Sequence, residues 1–146
     1  NFFQTHLNLA DAFRANDNFT AAQKHPETAL ELDPASNEAH ARLGATHQGA
    51  GNLESALSAF RHVVDSLPNS ADAYFYLAGV LTTLERNEEA IEGFYKGLEN
   101  NPHNARARNN LGEVLLKLGR HCDVKETLQE ALQHNSNLAE AHNNLG

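Results

Sequence analysis

Nine histidines and one cysteine are the residues of this chain most able to bind a metal ion or to act in catalysis. No two histidines stand four residues apart, the spacing that places two zinc ligands on one face of a helix. Cys122 has no second cysteine to pair with, and the sequence holds no nucleophile motif, glycine-rich phosphate loop or paired-carboxylate signature. We therefore predict a protein without enzymatic activity, metal site or cofactor.

Charge and hydropathy exclude two further classes of partner. The chain has 11 basic and 19 acidic residues, a net charge of −8, whereas a nucleic-acid-binding surface needs clustered Lys and Arg. No apolar run approaches the length of about 18 residues that crosses a bilayer. No basic and apolar segment opens the chain as a signal peptide does. We predict a soluble protein that binds neither nucleic acid nor membrane, and the sequence does not indicate its compartment.

The most regular feature is a period of 34 residues. It is kept by five leucines and by three prolines: Leu9, Leu43, Leu77, Leu111 and Leu145, with Pro34, Pro68 and Pro102. A fixed period of this length indicates one supersecondary unit copied along the chain. The predicted repeats are 3–36, 37–70, 71–104 and 105–138, and a partial repeat covers 139–146.

Each repeat is predicted to form two antiparallel helices. In the second repeat the apolar and small residues fall at helical spacing in two stretches, 39–47 and 53–64, separated by Gly49-Ala50-Gly51-Asn52. Pro68 ends the second stretch, because proline cannot continue a helix. Small residues share positions in both helices and allow the axes to approach, while Phe60 and Phe94 fill the outer space.

This pattern resembles the tetratricopeptide repeat (TPR) family, whose 34-residue helical pair has small residues at positions 8, 20 and 27 and proline at position 32. The matching residues include Leu43-Gly44, Ala56 and Pro68, then Leu77-Ala78, Ala90, Gly97 and Pro102, and Leu111-Gly112. The resemblance covers all but the first two residues. It implies an all-α, right-handed superhelical α-solenoid that forms a single domain over 1–146.

Three positions depart from the pattern. Pro26 falls inside the predicted second helix of the first repeat, where its ring clashes with the carbonyl of Ala22, so we predict a kink or an early break near residues 22–26. Val124 stands where a small residue is expected, and Ser136 replaces the proline. These two changes predict a slightly wider helix pair in the fourth repeat.

The resemblance also implies where a ligand binds, namely the concave wall formed by the first helix of each repeat. Positions 2, 5, 6, 9, 12 and 13 face this wall and include Asp11, Arg14 and Gln48. From these positions we predict the following peptide-binding residues: Asn8, Arg42, Phe75, Tyr76, Arg106, Asn109, Asn110 and Asn144. Their amides and guanidinium groups suit a peptide backbone, and the two aromatic rings suit an apolar side chain.

Two sets of residues are given other roles. His6, His40 and His142 share the fourth position, where the family places a large ring, and are predicted to pack between helices. The residues that correspond to the carboxylate clamp of chaperone-binding relatives do not form that clamp. Capture of a chaperone's acidic tail is therefore not expected.

Three functions remain open. The first is a non-catalytic scaffold that binds an extended peptide or protein segment around Arg42, Tyr76 and Asn110. The second is head-to-tail self-association into a filament, because no capping helix follows Leu145 and the chain presents an uncapped apolar end. The third is a substrate-binding arm of a larger enzyme such as a glycosyltransferase.

Overall fold

A computed structural model describes residues 2–121 and 123–124. Within this part of the chain the backbone forms α-helices and no strand, so the predicted all-α class is confirmed. The helices, in chain order, are α1 (Phe2–Ala15), α2 (Phe19–Leu32), α3 (Asn37–Gly49), α4 (Leu53–Ser66), α5 (Ala71–Thr83), α6 (Asn87–Asn100) and α7 (Ala105–Lys117). None of these helices is long and apolar enough to cross a bilayer.

The chain divides between Pro68 and Asn69 into two compact units. In the first unit α1 packs on α2 and α3, α2 packs on α3, and α3 packs on α4. Leu7, Ala29 and Ala39 form a buried cluster where α1, α2 and α3 meet. In the second unit α5 packs on α6 and α6 packs on α7, around the buried Phe94 and Leu111.

The first helices of successive repeats begin with the same N-cap. The Oγ of Ser36 accepts a hydrogen bond from the amide of Ala39 at 3.2 Å, and Ser70 does the same for Ala73 at 3.3 Å. Asn104 takes this role at the start of α7, with 2.9 Å to Ala107. Each cap satisfies one of the amide donors that a helix start leaves without an intrahelical partner.

The turn inside each hairpin is also repeated. A left-handed residue occurs at Asp17, Gly51, Glu85 and Gly119, with φ of 56°, 77°, 60° and 71°. The amide that follows each of them donates to the carbonyl five residues earlier, as in Asn52 to His47 at 2.8 Å. This is the closure of a Schellman motif, so the backbone ends four helices in the same way.

In the second and fourth repeats the side chain at the fourth position lies within hydrogen-bond distance of the carbonyl of the proline that precedes the repeat. His40 Nε2 lies 3.1 Å from the carbonyl oxygen of Pro34, and Arg108 donates to that of Pro102 at 2.9 and 2.7 Å. A carbonyl oxygen only accepts, so His40 carries its proton on Nε2. In these two repeats the side chain at the fourth position therefore links the first helix to the end of the preceding repeat.

Close helix approach occurs where the sequence predicts it. Phe60 is 1% exposed, and its ring lies so near Gly44 that a Cβ there would be 2.9 Å from ring carbons. Gly93 faces Ala78 in the second unit, with 3.2 Å between their Cβ positions if Gly93 had one. Small residues thus let the two helices of the α3–α4 and α5–α6 hairpins approach closely, and in the first of these a large ring fills the space.

The early break predicted at Pro26 is wrong. Helix α2 runs without interruption from Phe19 to Leu32, and Pro26 is among the most deeply buried residues of the chain. Burial of the ring stabilises the helical path that proline opposes locally. The predicted kink stays a prediction.

Replacing Pro26 with alanine is expected to stabilise the protein by about 0.5–1 kcal/mol. Proline in a helix interior costs about 3 kcal/mol relative to alanine. Most of the stability gained by removing this cost is offset by two effects. The alanine buries about two fewer methylenes, and the unfolded chain has more conformational entropy without the proline. A urea unfolding curve measures the difference as a higher midpoint with an unchanged slope. Pro34→Ala is the control, because Pro34 lies in a turn and its replacement restores no helical hydrogen bond; equal gains in the two variants would contradict the argument.

The remaining sequence predictions concern the C-terminal end of the chain, where the described residues stop. Val124 is buried, but the helix pair that it was predicted to widen is not described. Ser136, His142, Asn144 and the apolar end at Leu145 lie outside the described residues.

Candidate functional site

A cavity of about 440 Å³ lies between α1 and α3 in the first unit. Its wall is built from three pairs of residues that share a repeat position: Asp11 with Ala45, Arg14 with Gln48, and Ala15 with Gly49. These are the ninth, twelfth and thirteenth positions, which the family resemblance assigned to the ligand-binding wall. We call this cavity, including Phe19 at its floor, the α1–α3 groove.

Phe19 and Gly49 shape the floor of the groove. The Phe19 ring lies directly over Gly49, where a Cβ would overlap the ring. Gly49 therefore lets the aromatic ring enter from the start of α2. Sequence reasoning missed both residues, because Gly49 was assigned to the break between helices. The available signal was its repeat position, the thirteenth, which the predicted wall includes.

Four charged side chains form a chain of ion pairs beside the groove. Asp11 Oδ1 lies 3.0 Å from Arg14, Asp11 Oδ2 lies 3.1 Å from Arg42 Nε, and Arg42 also pairs with Glu38 at 3.1 Å. These side chains are 26–47% exposed, so each pair adds little stability. Their effect is to orient Arg14, whose guanidinium has further donors and no other ion pair among the described residues.

The predicted site residues of the first unit have distinct environments. Asn8 is exposed and accepts a hydrogen bond from Gln4 at 3.2 Å. Arg42 is half-buried, and its guanidinium binds Asp11 and Glu38. Gln48, which lines the groove, makes no side-chain hydrogen bond to another described residue and so presents both an amide donor and an acceptor.

The predicted residues of the second unit divide by exposure. Tyr76 on α5 is 53% exposed, and Arg106 and Asn110 on α7 are exposed as well. Phe75 is half-buried and packs on Gly97 of α6, where a Cβ would overlap its ring. Asn109 is 2% exposed and donates to Glu113 at 3.0 Å.

A second cavity, of about 370 Å³, lies between α3 and α4. His40, His47 and His62 line it with Ser55 and Ser58. The rings of His40 and His62 are in contact, with 3.8 Å between their centroids and an interplanar angle of 37°. His47 Nδ1 is buried without a hydrogen-bond partner in the described part of the chain. Burial lowers the pKa of His47, and Glu27 opposes that shift.

Acidification is expected to destabilise the first unit through His47. Its pKa is lower in the folded than in the unfolded chain, so the unfolded chain takes up the proton at higher pH. The stability that the neutral ring provides is complete above about pH 6.5 and is lost as the pH falls through the folded pKa. Melting temperatures between pH 8 and 5 should therefore fall less for His47→Gln than for the parent chain. Parallel pH profiles for the two proteins would refute this assignment.

The comparisons with known proteins decide the family. One tetratricopeptide-repeat model matches residues 7–47 and 42–102, and a second matches 81–145. The chain is a TPR protein. Among curated proteins no sequence matches it significantly.

Solved TPR structures share the fold of this TPR chain. MamA is 23% identical with a TM-score of 0.87, over 93% of this chain and 80% of MamA. PilF of Pseudomonas aeruginosa is 25% identical with a TM-score of 0.90, over 98% of this chain and 65% of PilF. YrrB, described as a TPR protein with an unusual peptide-binding site, is 21% identical with a TM-score of 0.81, over 96% of this chain and 72% of YrrB. These likenesses support the α-solenoid class.

Proposed function

We propose that this TPR chain is a non-catalytic binding module that takes an extended peptide segment in the α1–α3 groove. The observation that carries the proposal is the cavity itself, because it lies at repeat positions that the family uses for ligands. Binding of proteins or peptides is typical of TPR domains. For this reason we assign a peptide, and not a small molecule, to the cavity.

The groove offers what an extended peptide requires. The Gln48 carboxamide can donate to a peptide carbonyl and accept from a peptide amide. Phe19, Ala15 and Ala45 supply apolar surface for a side chain. Arg14 supplies further donors, so an acidic residue of the peptide is favoured beside it.

Arg42 has a supporting role in this proposal. Its guanidinium holds Asp11, and Asp11 holds Arg14. The centre of peptide binding therefore shifts from Arg42 to Arg14 and Gln48. The exposed side chains of Tyr76, Arg106 and Asn110 form a second candidate surface, which is tested by its own variants.

Selection from a phage library of short random peptides on the full chain tests the proposal. Arg14→Ala and Gln48→Ala should each weaken the selected peptides about tenfold, since loss of about 1.4 kcal/mol of binding energy has that effect. Gln23→Ala is the matched control, because Gln23 bonds to Glu27 on the outside of α2. If both groove variants bind like the control, the α1–α3 groove is not the site. Losses confined to Tyr76→Ala and Asn110→Ala would assign binding to the second surface.

A further inference from the structure

The α1–α3 groove has a floor residue that the other repeats do not share. Phe19 occupies the seventeenth position of the first repeat, where the later repeats have Leu53, Asn87 and His121. The Phe19 ring is half-buried, lies over Gly49 and lines the cavity. The first repeat is thus the one that brings a phenyl ring to this position, and part of the ring is open to a ligand.

The walls beside the Phe19 ring leave space for a second ring. Ala15, Ala45 and Gly49 line the cavity with at most one methyl group each. The cavity has a volume of about 440 Å³, whereas a cavity of about 150 Å³ already admits benzene. One aromatic side chain of a peptide therefore fits, with room for part of the neighbouring residue.

The thirteenth position distinguishes the two units of the chain. It holds Ala15 and Gly49 in the first two repeats and Thr83 and Lys117 in the next two. Lys117 Nζ lies 2.9 Å from Glu85 Oε1 in the turn after α5. An apolar ring that entered beside this ion pair would displace water from charged groups, which is costly. The first unit is therefore better suited to bind an aromatic side chain.

Arg14 lines the same cavity and favours an aromatic ligand over an aliphatic one. A guanidinium group attracts the face of an aromatic ring, and Phe19 adds an attraction between rings that an aliphatic side chain would not receive. Asp11 lies 3.0 Å from Arg14 and 3.1 Å from Arg42, so its carboxylate is shared between two cations. Arg14 keeps further donors, which suit a carboxylate of the ligand.

We propose that the α1–α3 groove selects peptides that carry an aromatic residue close to an acidic one. The aromatic ring of the peptide packs on Phe19, and its acidic side chain binds the guanidinium group of Arg14. This inference rests on the peptide-binding function proposed above and adds which side chains the peptide must have.

Variants of the peptide test this inference without altering the protein fold. A peptide that is selected on the full chain by phage display, and that Arg14→Ala weakens, is compared by calorimetry with the same peptide after its aromatic residue is replaced by leucine. The leucine peptide should bind about fivefold more weakly, which is the effect of an aromatic pair of average strength. Equal affinities of the two peptides would overturn the proposal.

Phe19→Leu tests the partner of the aromatic residue. Leucine stands at the same position of the second repeat, as Leu53, so the hairpin accommodates it there. In this variant the aromatic peptide and the leucine peptide should bind equally. Phe13→Leu is the matched control, because Phe13 is also half-buried but stacks on His25 and is not among the residues that line the groove. A preference that survives in Phe19→Leu, or that is lost equally in the control, would contradict the role of Phe19.

The outcomes separate this inference from the function on which it rests. Peptides whose binding depends on Arg14 and Gln48 but not on an aromatic residue would overturn this inference alone. If no selected peptide depends on Arg14 or Gln48, the proposed function fails and this inference fails with it.

Discussion

Replacing Phe60 with alanine is expected to lower the free energy of unfolding by about 3–5 kcal/mol. Phe60 is 1% exposed and lies over Gly44, which has no side chain to fill the space that a smaller residue would leave. The lost transfer energy and the cavity therefore add. Such a loss is a large part of the about 5–15 kcal/mol that stabilises a typical domain.

Chemical unfolding followed by circular dichroism measures this loss. Phe2→Ala is the control, because Phe2 is 65% exposed and its truncation removes the same atoms from a largely solvated site. We expect the control to change stability by a small fraction of the Phe60 effect. Similar losses in both variants would show that the Phe60–Gly44 contact does not organise the α3–α4 hairpin.

Gly97→Ala is expected to destabilise the second unit by about 1–3 kcal/mol. In an ordinary helix the same change stabilises by about 0.8–1 kcal/mol, so the expected sign is the opposite of the propensity effect. The reason is steric, since the new Cβ would overlap the ring of Phe75. The α5–α6 hairpin must then open, or the ring must leave its place.

A double-mutant cycle isolates this clash. Phe75→Ala removes the ring, so adding Gly97→Ala to it should cost nothing or should stabilise. The interaction free energy that the cycle gives for the two positions is then expected to be about 0.5–3 kcal/mol, as found for residues in contact. Additive losses would mean that Phe75 does not pack on Gly97 and is available to a ligand, as the sequence analysis expected.

The helical architecture could be predicted because it depends on features that repeat. Leucines every 34 residues, small residues at fixed positions and prolines after the second helix of the first three repeats all act locally and point to the same hairpin. Pro26 is the exception. Its local preference predicts a break, whereas burial of its ring in the folded chain decides the path of α2. Such packing depends on residues far away in sequence.

The repeat positions that line the groove could be predicted from the sequence, but the ion pairs beside it could not. The resemblance assigned Asp11, Arg14 and Gln48 to the binding wall, and the structure places them around one cavity. The role of Arg42 could not be inferred, because its guanidinium binds a carboxylate 31 residues away. His6 of α1 lies within hydrogen-bond distance of His25 of α2, a contact that spans 19 residues and leaves no periodic signal in the sequence.

The recurring left-handed turns and N-caps have a consequence for how such a chain can change its length during evolution. Each helix end is set by a residue at a fixed place in the 34-residue unit, as at Gly51 and Gly119. A gene duplication or deletion of one whole unit therefore keeps one cap and one turn for every hairpin, wherever the breakpoint falls. Insertions of any other length would separate a helix from its own terminator. Recombination between the repeats can thus change the number of hairpins, and with it the number of side chains on the binding wall. It does so without creating a loop or a helix end of a new kind.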